Sequence, residues 1–141
     1  MWNPTITDHF YTINVTEYEI FASTKGYLKD GIAGYVFAEP QPNTEALFRL
    51  WTPEFGDHFY TSSVFERNHV LKDGQYKDEG VACYLYMGTP EGQSCGQPLY
   101  RLHSPGYANH FYTGSQREKE RMKSSEGYTS DEGITGWILP Y

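Results

Sequence analysis

The sequence predicts an α+β, β-rich single domain over residues 1–141, built from three strand-turn-strand-helix-strand repeats with pseudo-threefold symmetry. Three observations predict it. Asp8-His9-Phe10-Tyr11-Thr12 recurs as Asp57-His58-Phe59-Tyr60-Thr61 and as Asn109-His110-Phe111-Tyr112-Thr113, at spacings of 49 and 52 residues. Such self-similarity at a fixed period marks a chain built from one supersecondary unit. Around each block the flanking residues also repeat: Trp2, Trp51 or His103 stands six residues before it. The insertions fall only between the repeated blocks, as loops do. The repeats span approximately 1–44, 45–96 and 97–141.

Each unit opens on a strand, Leu47-Phe-Arg-Leu-Trp51 or Leu99-Tyr-Arg-Leu-His103. A turn follows (Thr52-Pro-Glu-Phe-Gly56), and the His-Phe-Tyr-Thr block returns as the second arm of a hairpin. Asn14-Val-Thr-Glu17, Ser63-Val-Phe-Glu66 and Ser115-Gln-Arg-Glu118 then read as capping boxes. In such a box the first side chain takes the N3 amide and the Glu reaches back to the cap amide. The predicted helices end near Gly26, Gly74 and Gly127. Phe21, Val70 and Met122 form the one column that is apolar in all three copies, so each helix lies outside and buries a narrow stripe. Gly31-Ile-Ala-Gly-Tyr-Val36 and its counterparts at Gly80 and Gly133 read as third strands. The linkers are Glu39-Pro-Gln-Pro-Asn43 and Gly88-Thr-Pro-Glu-Gly92. Repeat one begins at Met1-Trp2, so its first strand is nearly absent and has no counterpart of Arg49 or Arg101. This open seam is an exposed edge at which the unit frays or another chain pairs, including a second copy of this one.

Composition narrows the function. The net charge is −7 and no basic run is present, which argues against nucleic acid and anionic membrane surfaces. No apolar run reaches the roughly 20 residues of a membrane span, so membrane insertion is not expected. The start of the chain does not read as a signal peptide, which leaves two locations: secreted after processing, or cytoplasmic without a signal. With 13 Tyr, 8 Phe and 3 Trp, many positions are amphipathic and lie at core edges or in a binding surface. Cys83 and Cys95 allow one short disulfide loop and no scaffold.

The Asp-His pairs admit two readings. As acid-base dyads they fail in repeat three, where Asn109 stands. Neighbours on a strand also point to opposite faces. As Asx residues they close the hairpin turn. Three histidines could in principle meet around a metal, but no spacing motif supports it, and no metal or cofactor is expected. Alternation assigns Phe10, Phe59 and Phe111 to the core and turns His9/Tyr11, His58/Tyr60 and His110/Tyr112 outward or into a groove. Arg49 and Arg101 either reach a ligand or stack on a neighbouring aromatic. The Asn14-Val15-Thr16 sequon doubles as a helix cap and reads as structural.

The pattern Leu-Tyr-Arg-Leu, Asp-His-Phe-Tyr-Thr, Glu-Gly-Val-Ala-x-Tyr resembles a tandem repeat of fungal and bacterial proteins. In bacteria that repeat is often appended to secreted hydrolases. Departures are Asn109 for Asp, His103 for Trp, Trp137 for Tyr and Cys83 for Gly. The resemblance implies an accessory or binding module and supplies no catalytic residues. In size, repetition and aromatic content the chain is also similar to the small lectins of mushrooms, many of which carry no signal peptide.

The expected function is therefore carbohydrate binding at up to three related sites, without catalysis; the best acids (Asp57, Glu66, Glu79) already have structural explanations. Sugar-binding proteins stack pyranose rings on aromatics and bond the hydroxyls with Asp, Asn, Arg and His. The candidate residues are Trp2, Asp8, His9 and Tyr11 in repeat one; Arg49, Trp51, Asp57, His58 and Tyr60 in repeat two; and Arg101, His103, Asn109, His110 and Tyr112 in repeat three. The tip residues Ile6, Phe55 and Tyr107 belong to the same hairpins. The alternative is a protein-interaction or structural repeat module that binds no sugar.

Overall fold

A computed structural model describes residues 1–88 and 96–141. The linker stretch 89–92 and the Cys83–Cys95 pairing considered above lie wholly or partly outside the described residues. The chain runs β1 (Trp2–Asn3), β2 (Asp8–His9), α1 (Val15–Thr24), β3 (Thr44–Thr52), β4 (Asp57–Thr61), α2 (Val64–Lys72), β5 (Lys77–Tyr86), β6 (Gln97–Ser104), β7 (Asn109–Thr113), α3 (Gln116–Ser125) and β8 (Ser130–Ile138). The fold is β-rich α+β. A small β1-β2 pair accompanies an antiparallel six-stranded sheet ordered β4-β3-β5-β8-β6-β7. That sheet curls until its two edge strands meet, the Tyr60 amide donating to the Tyr112 hydroxyl at 2.8 Å.

The hairpin turns explain the curl's starting points. Gly56 has φ +67°, and its counterparts Thr7 and Ala108 take the same left-handed conformation at +57° and +50°. The turn requires positive φ at that position, and only repeat two meets it with the residue that does so without strain. The helices begin as predicted: Asn14 Oδ1, Ser63 Oγ and Ser115 Oγ each accept the N3 amide, from Glu17, Glu66 and Glu118. They end before Gly26, Gly74 and Gly127, all at positive φ. The helices do lie outside: α1 and α2 contain no buried residue and α3 buries only Met122. Phe21 packs flat on Phe10 with centroids 4.0 Å apart.

Two expectations are corrected. The capping glutamates do not reach back to their own cap amides. Thr12, Thr61 and Thr113 accept the amides of Asn14, Ser63 and Ser115 and donate their hydroxyls to Glu17, Glu66 and Glu118 at 2.5 Å. The carboxylates are thereby turned toward the next repeat. Second, Gly31–Val36 is not a strand. Among the described residues it contributes no ladder: Tyr35 bridges Leu139, and Phe37, just past the segment, bridges Tyr84. The reason is the missing first strand. In repeats two and three the third strand pairs along β3 or β6, whereas β1 has two residues and gives one bridge, Trp2 to Leu28.

Candidate functional site

The three Asp/Asn-His-Phe-Tyr-Thr blocks converge at the centre. Every residue of Asp57–Thr61 and Asn109–Thr113 is buried on both faces. Phe10, Phe59 and Phe111 lie in the core as expected. The expectation that His and Tyr turn outward or into a groove holds for the tyrosines, since Tyr11, Tyr60 and Tyr112 line a cavity of about 820 Å³, and is corrected for His9, His58 and His110, which are buried. Apart from half-buried Tyr11, the His and Tyr side chains are buried, because three strands meet at the centre and cover one another.

Two polar layers fill that centre. In the first, Tyr60 donates to the carbonyl of Tyr11, Tyr11 to that of Tyr112, and Tyr112 to that of Tyr60, each at 2.8 Å. The amide of each acceptor residue donates back to the same hydroxyl at 2.8–3.0 Å. Three edge-on rings thus satisfy six backbone groups that would otherwise be buried without partners. Burial drives all three phenols well above the ordinary tyrosine pKa, so they act as hydroxyl donors at any working pH.

The second layer joins each Asp or Asn to the His of the next repeat. Asp8 accepts the amide of His58 at 2.8 Å and its Nδ1 at 2.5 Å, and Asp57 treats His110 likewise at 2.9 and 2.7 Å. Asn109 Oδ1 closes the cycle on His9 Nδ1 at 3.2 Å. Tyr27, Tyr76 and Tyr128 donate a further bond to Asp8, Asp57 and Asn109. The expectation that Asp or Asn closes its own turn is therefore corrected: these side chains weld one repeat to another. The turns are tied instead by Asn3, by the Thr52 carbonyl and by Ser104. Asn109 has its own logic. Its amide donates to Asp57 Oδ1 at 3.1 Å and to Asp8 Oδ1 at 3.4 Å, supplying protons between two carboxylates that are fully buried. His9, the one His facing an amide oxygen, is held neutral by burial, which lowers its pKa to about 4.

The arginines make the third kind of joint. Arg49 grips Glu17 of the preceding repeat with both Nη atoms at 2.8–2.9 Å, sets Nε 2.7 Å from Glu79, and lies 4.9 Å over the Phe10 ring. Arg101 does the same with Glu66 (2.8 Å), Glu132 (2.8 Å) and Phe59 (5.0 Å). Burial opposes charge on Glu17, but the Arg49 and Thr12 bonds prevail and hold its carboxyl below the usual range; Arg101 and Thr61 do so for Glu66.

The residues that open the hairpins behave differently. Trp2 and Trp51 lie on His9 and His58 with ring centroids 4.4 and 4.3 Å apart, and His103 lies on His110 at 4.8 Å. Trp2, Trp51 and His103 are half-buried. Beside two of these pairs stands a partly exposed carboxylate: Glu79 is 3.8 Å from His58 Nε2 and Glu132 is 3.6 Å from His110 Nε2. The structure thus divides the fourteen candidate residues. Most line the centre where the strands meet; Trp2, Trp51 and His103 lie at its outside, half-buried. Glu79 and Glu132 stand beside these outer rings and were not among the candidates; Asp30, at the same position of repeat one, lines the cavity instead. Their signal was their recurrence just before Gly31, Gly80 and Gly133. No group of three His, Cys, Asp or Glu is arranged to hold a metal ion among the described residues.

A family model described as a domain of unknown function (DUF5648) matches residues 1–139. The chain belongs to that family. No curated protein and no solved structure matches it.

Proposed function

We propose that the chain is a carbohydrate-binding, lectin-like module whose three repeats stand about a pseudo-threefold axis, each offering one shallow outer shelf. The observation that carries this reading is the recurrence of a half-exposed ring laid on a buried imidazole: Trp2 on His9, Trp51 on His58 and His103 on His110. A pyranose presents an apolar C–H face to such a ring, and Glu79 or Glu132 beside it accepts sugar hydroxyls. The imidazole underneath fixes the ring in one pose, so little side-chain entropy is lost on binding. Each shelf is shallow and therefore weak alone; a surface bearing many glycans engages several at once. The enclosure of the Asp–His pairs supports reading them as structural joints and the outer rings as the binding surface.

The reading is tested on a glycan array and by titration of each hit, with Trp51→Ala and the triple variant Trp2→Ala, Trp51→Ala, His103→Ala. The expected result is a specific hit weakened by the first and abolished by the second. A folded protein that binds no sugar at millimolar concentration overturns it, as does a hit that survives the triple variant.

A second reading, a protein-interaction module, is favoured by one observation: an apolar cavity of about 820 Å³ opens at repeat one beside Met1.

A further inference from the structure

The outer rings of repeats two and three each have a second cross-strand neighbour. Directly opposed residues of antiparallel strands carry their side chains on one face, close enough to touch. Trp51 opposes His58 on β4, on which its ring lies, and Lys77 on β5. His103 opposes His110 on β7 and Ser130 on β8. Each ring is therefore bounded on one side by a buried imidazole and on the other by a residue that changes between repeats. Lys77 is exposed and Ser130 is half-buried. The next row along each sheet holds the Arg49–Glu79 and Arg101–Glu132 contacts, at 2.7 and 2.8 Å.

Charge separates the two shelves. In repeat two the acids that follow Lys77 are both engaged, Asp78 by Arg67 and Glu79 by Arg49, which it shares with Glu17. Lys77 itself forms no ion pair and lies over no aromatic ring among the described residues. Its ammonium is thus the unpaired charge beside the Trp51 ring. In repeat three Asp131 holds Lys119 at 2.8 Å and Lys123 at 3.1 Å, Glu132 holds Arg101, and the hydroxyl of Ser130 takes the place of the ammonium. Burial lowers the pKa of His103 from its ordinary value, so that ring supplies no cation at pH 7.

We propose that Lys77 sets the ligand class of the repeat-two shelf: a pyranose bearing an anionic substituent, whereas the repeat-three shelf takes an uncharged one. The inference rests on the sugar-binding reading and deepens it. Lys77 and Glu79 stand two residues apart on one strand, roughly 6–7 Å, so they flank a single sugar ring laid on Trp51. Lys77 meets the anion through a charge-assisted bond, and Glu79 accepts a hydroxyl proton at the other end. The net charge of −7 opposes long-range attraction of an anion, so the preference comes from contact with this one ammonium and is modest.

The test follows the Trp51 indole N–H resonance of the full chain during titration with methyl glucuronide against methyl glucoside, and with methyl galacturonide against methyl galactoside. Members of each pair differ only in a carboxylate for a hydroxymethyl group. The expected result, in at least one pair, is that the uronate binds about two- to fivefold tighter than its neutral counterpart at low ionic strength, the scale of one exposed charge contact. The advantage fades at about 1 M salt. Lys77→Ser, which installs the residue of repeat three, removes the advantage. Lys25→Ser, the same loss of charge at an exposed site in repeat one, leaves it. Ser130→Lys confers it on the repeat-three shelf, read from the His103 ring protons. A neutral sugar that shifts Trp51 while its uronate binds no tighter overturns the proposal and leaves the sugar reading standing. An advantage that survives Lys77→Ser, or that falls equally with Lys25→Ser, does the same. Trp51 unmoved by every one of these sugars and by every hit of the glycan array overturns both.

Discussion

Asn109→Asp is the sharpest test of the central network. Asn109, Asp8 and Asp57 are all fully buried, and the Asn109 amide is the donor between the two carboxylates, at 3.1 and 3.4 Å. The substitution keeps the oxygen that His9 and Tyr128 bond and removes both N–H donors. A third ionised carboxyl there would meet two others at contact distance, about 4 kcal/mol each at an effective dielectric of 20, so the new group takes a proton instead. Holding an acid of unfolded pKa near 3.9 protonated at pH 7 costs about 4 kcal/mol. The proton restores one donor; the other bond is lost, for roughly 1 kcal/mol. The expected destabilisation is therefore about 5 kcal/mol at pH 7. The sign of its pH dependence follows. The folded-state pKa of the new carboxyl is raised, so its penalty is absent below the unfolded pKa and grows as pH rises toward the folded one. Relative to wild type the penalty should shrink by about 1.4 kcal/mol per pH unit from pH 7 to 4, leaving about 1 kcal/mol. Urea midpoints at pH 7, 6, 5 and 4 with an unchanged m-value measure it. A loss below 1 kcal/mol at pH 7, or one independent of pH, would refute the assignment of Asn109 as the central donor.

Other consequences are direct. Tyr60→Phe leaves the buried amide and carbonyl of Tyr11 without their shared hydroxyl and should cost about 2–4 kcal/mol in a urea titration. His9 is held neutral with its pKa lowered to about 4 against 6.5 unfolded, so the stability it contributes is complete above pH 6.5 and lost as pH falls toward 4. That loss amounts to about 3 kcal/mol, and His9→Gln should flatten this part of the stability–pH curve. Ala108 sits at φ +50° where Gly56 sits at +67°, so Ala108→Gly should stabilise by roughly 0.5–1 kcal/mol and raise the thermal midpoint by a few degrees.

The local structure was largely legible in the sequence. The Asn14, Ser63 and Ser115 caps, the glycine stops and the Leu-x-Arg-Leu strands follow from rules that act within a few residues. The gap in repeat one was legible too, because it is a plain absence in an alignment of repeats. What the sequence hid was where the repeats meet. Alternation gives His58 and Tyr60 a face opposite to Phe59, but whether that face meets water depends on what lies beyond the strand. Here two other strands lie beyond it. The same blindness misplaced Asp8 and Asp57 in their own turns, since their partners stand 50 and 53 residues away. Glu17 and Glu66 were assigned to caps because a capping box is local, while Arg49 and Arg101 come from the following repeat. Recurrence of Asn109 at an Asp position was visible; its reason, a donor between two carboxylates, was not.

The account's central claim is that the polar centre is structural and that the outer rings bind ligand. Indole N–H resonances of Trp2, Trp51 and Trp137, followed during titration with a sugar that scores on an array, test it most directly. Trp2 and Trp51 lie on the outer shelves, whereas Trp137 lies in β8. The predicted result is saturable shifts of the Trp2 and Trp51 signals with Trp137 unmoved. Shifts confined to Trp137, or none at saturating sugar, would contradict the claim.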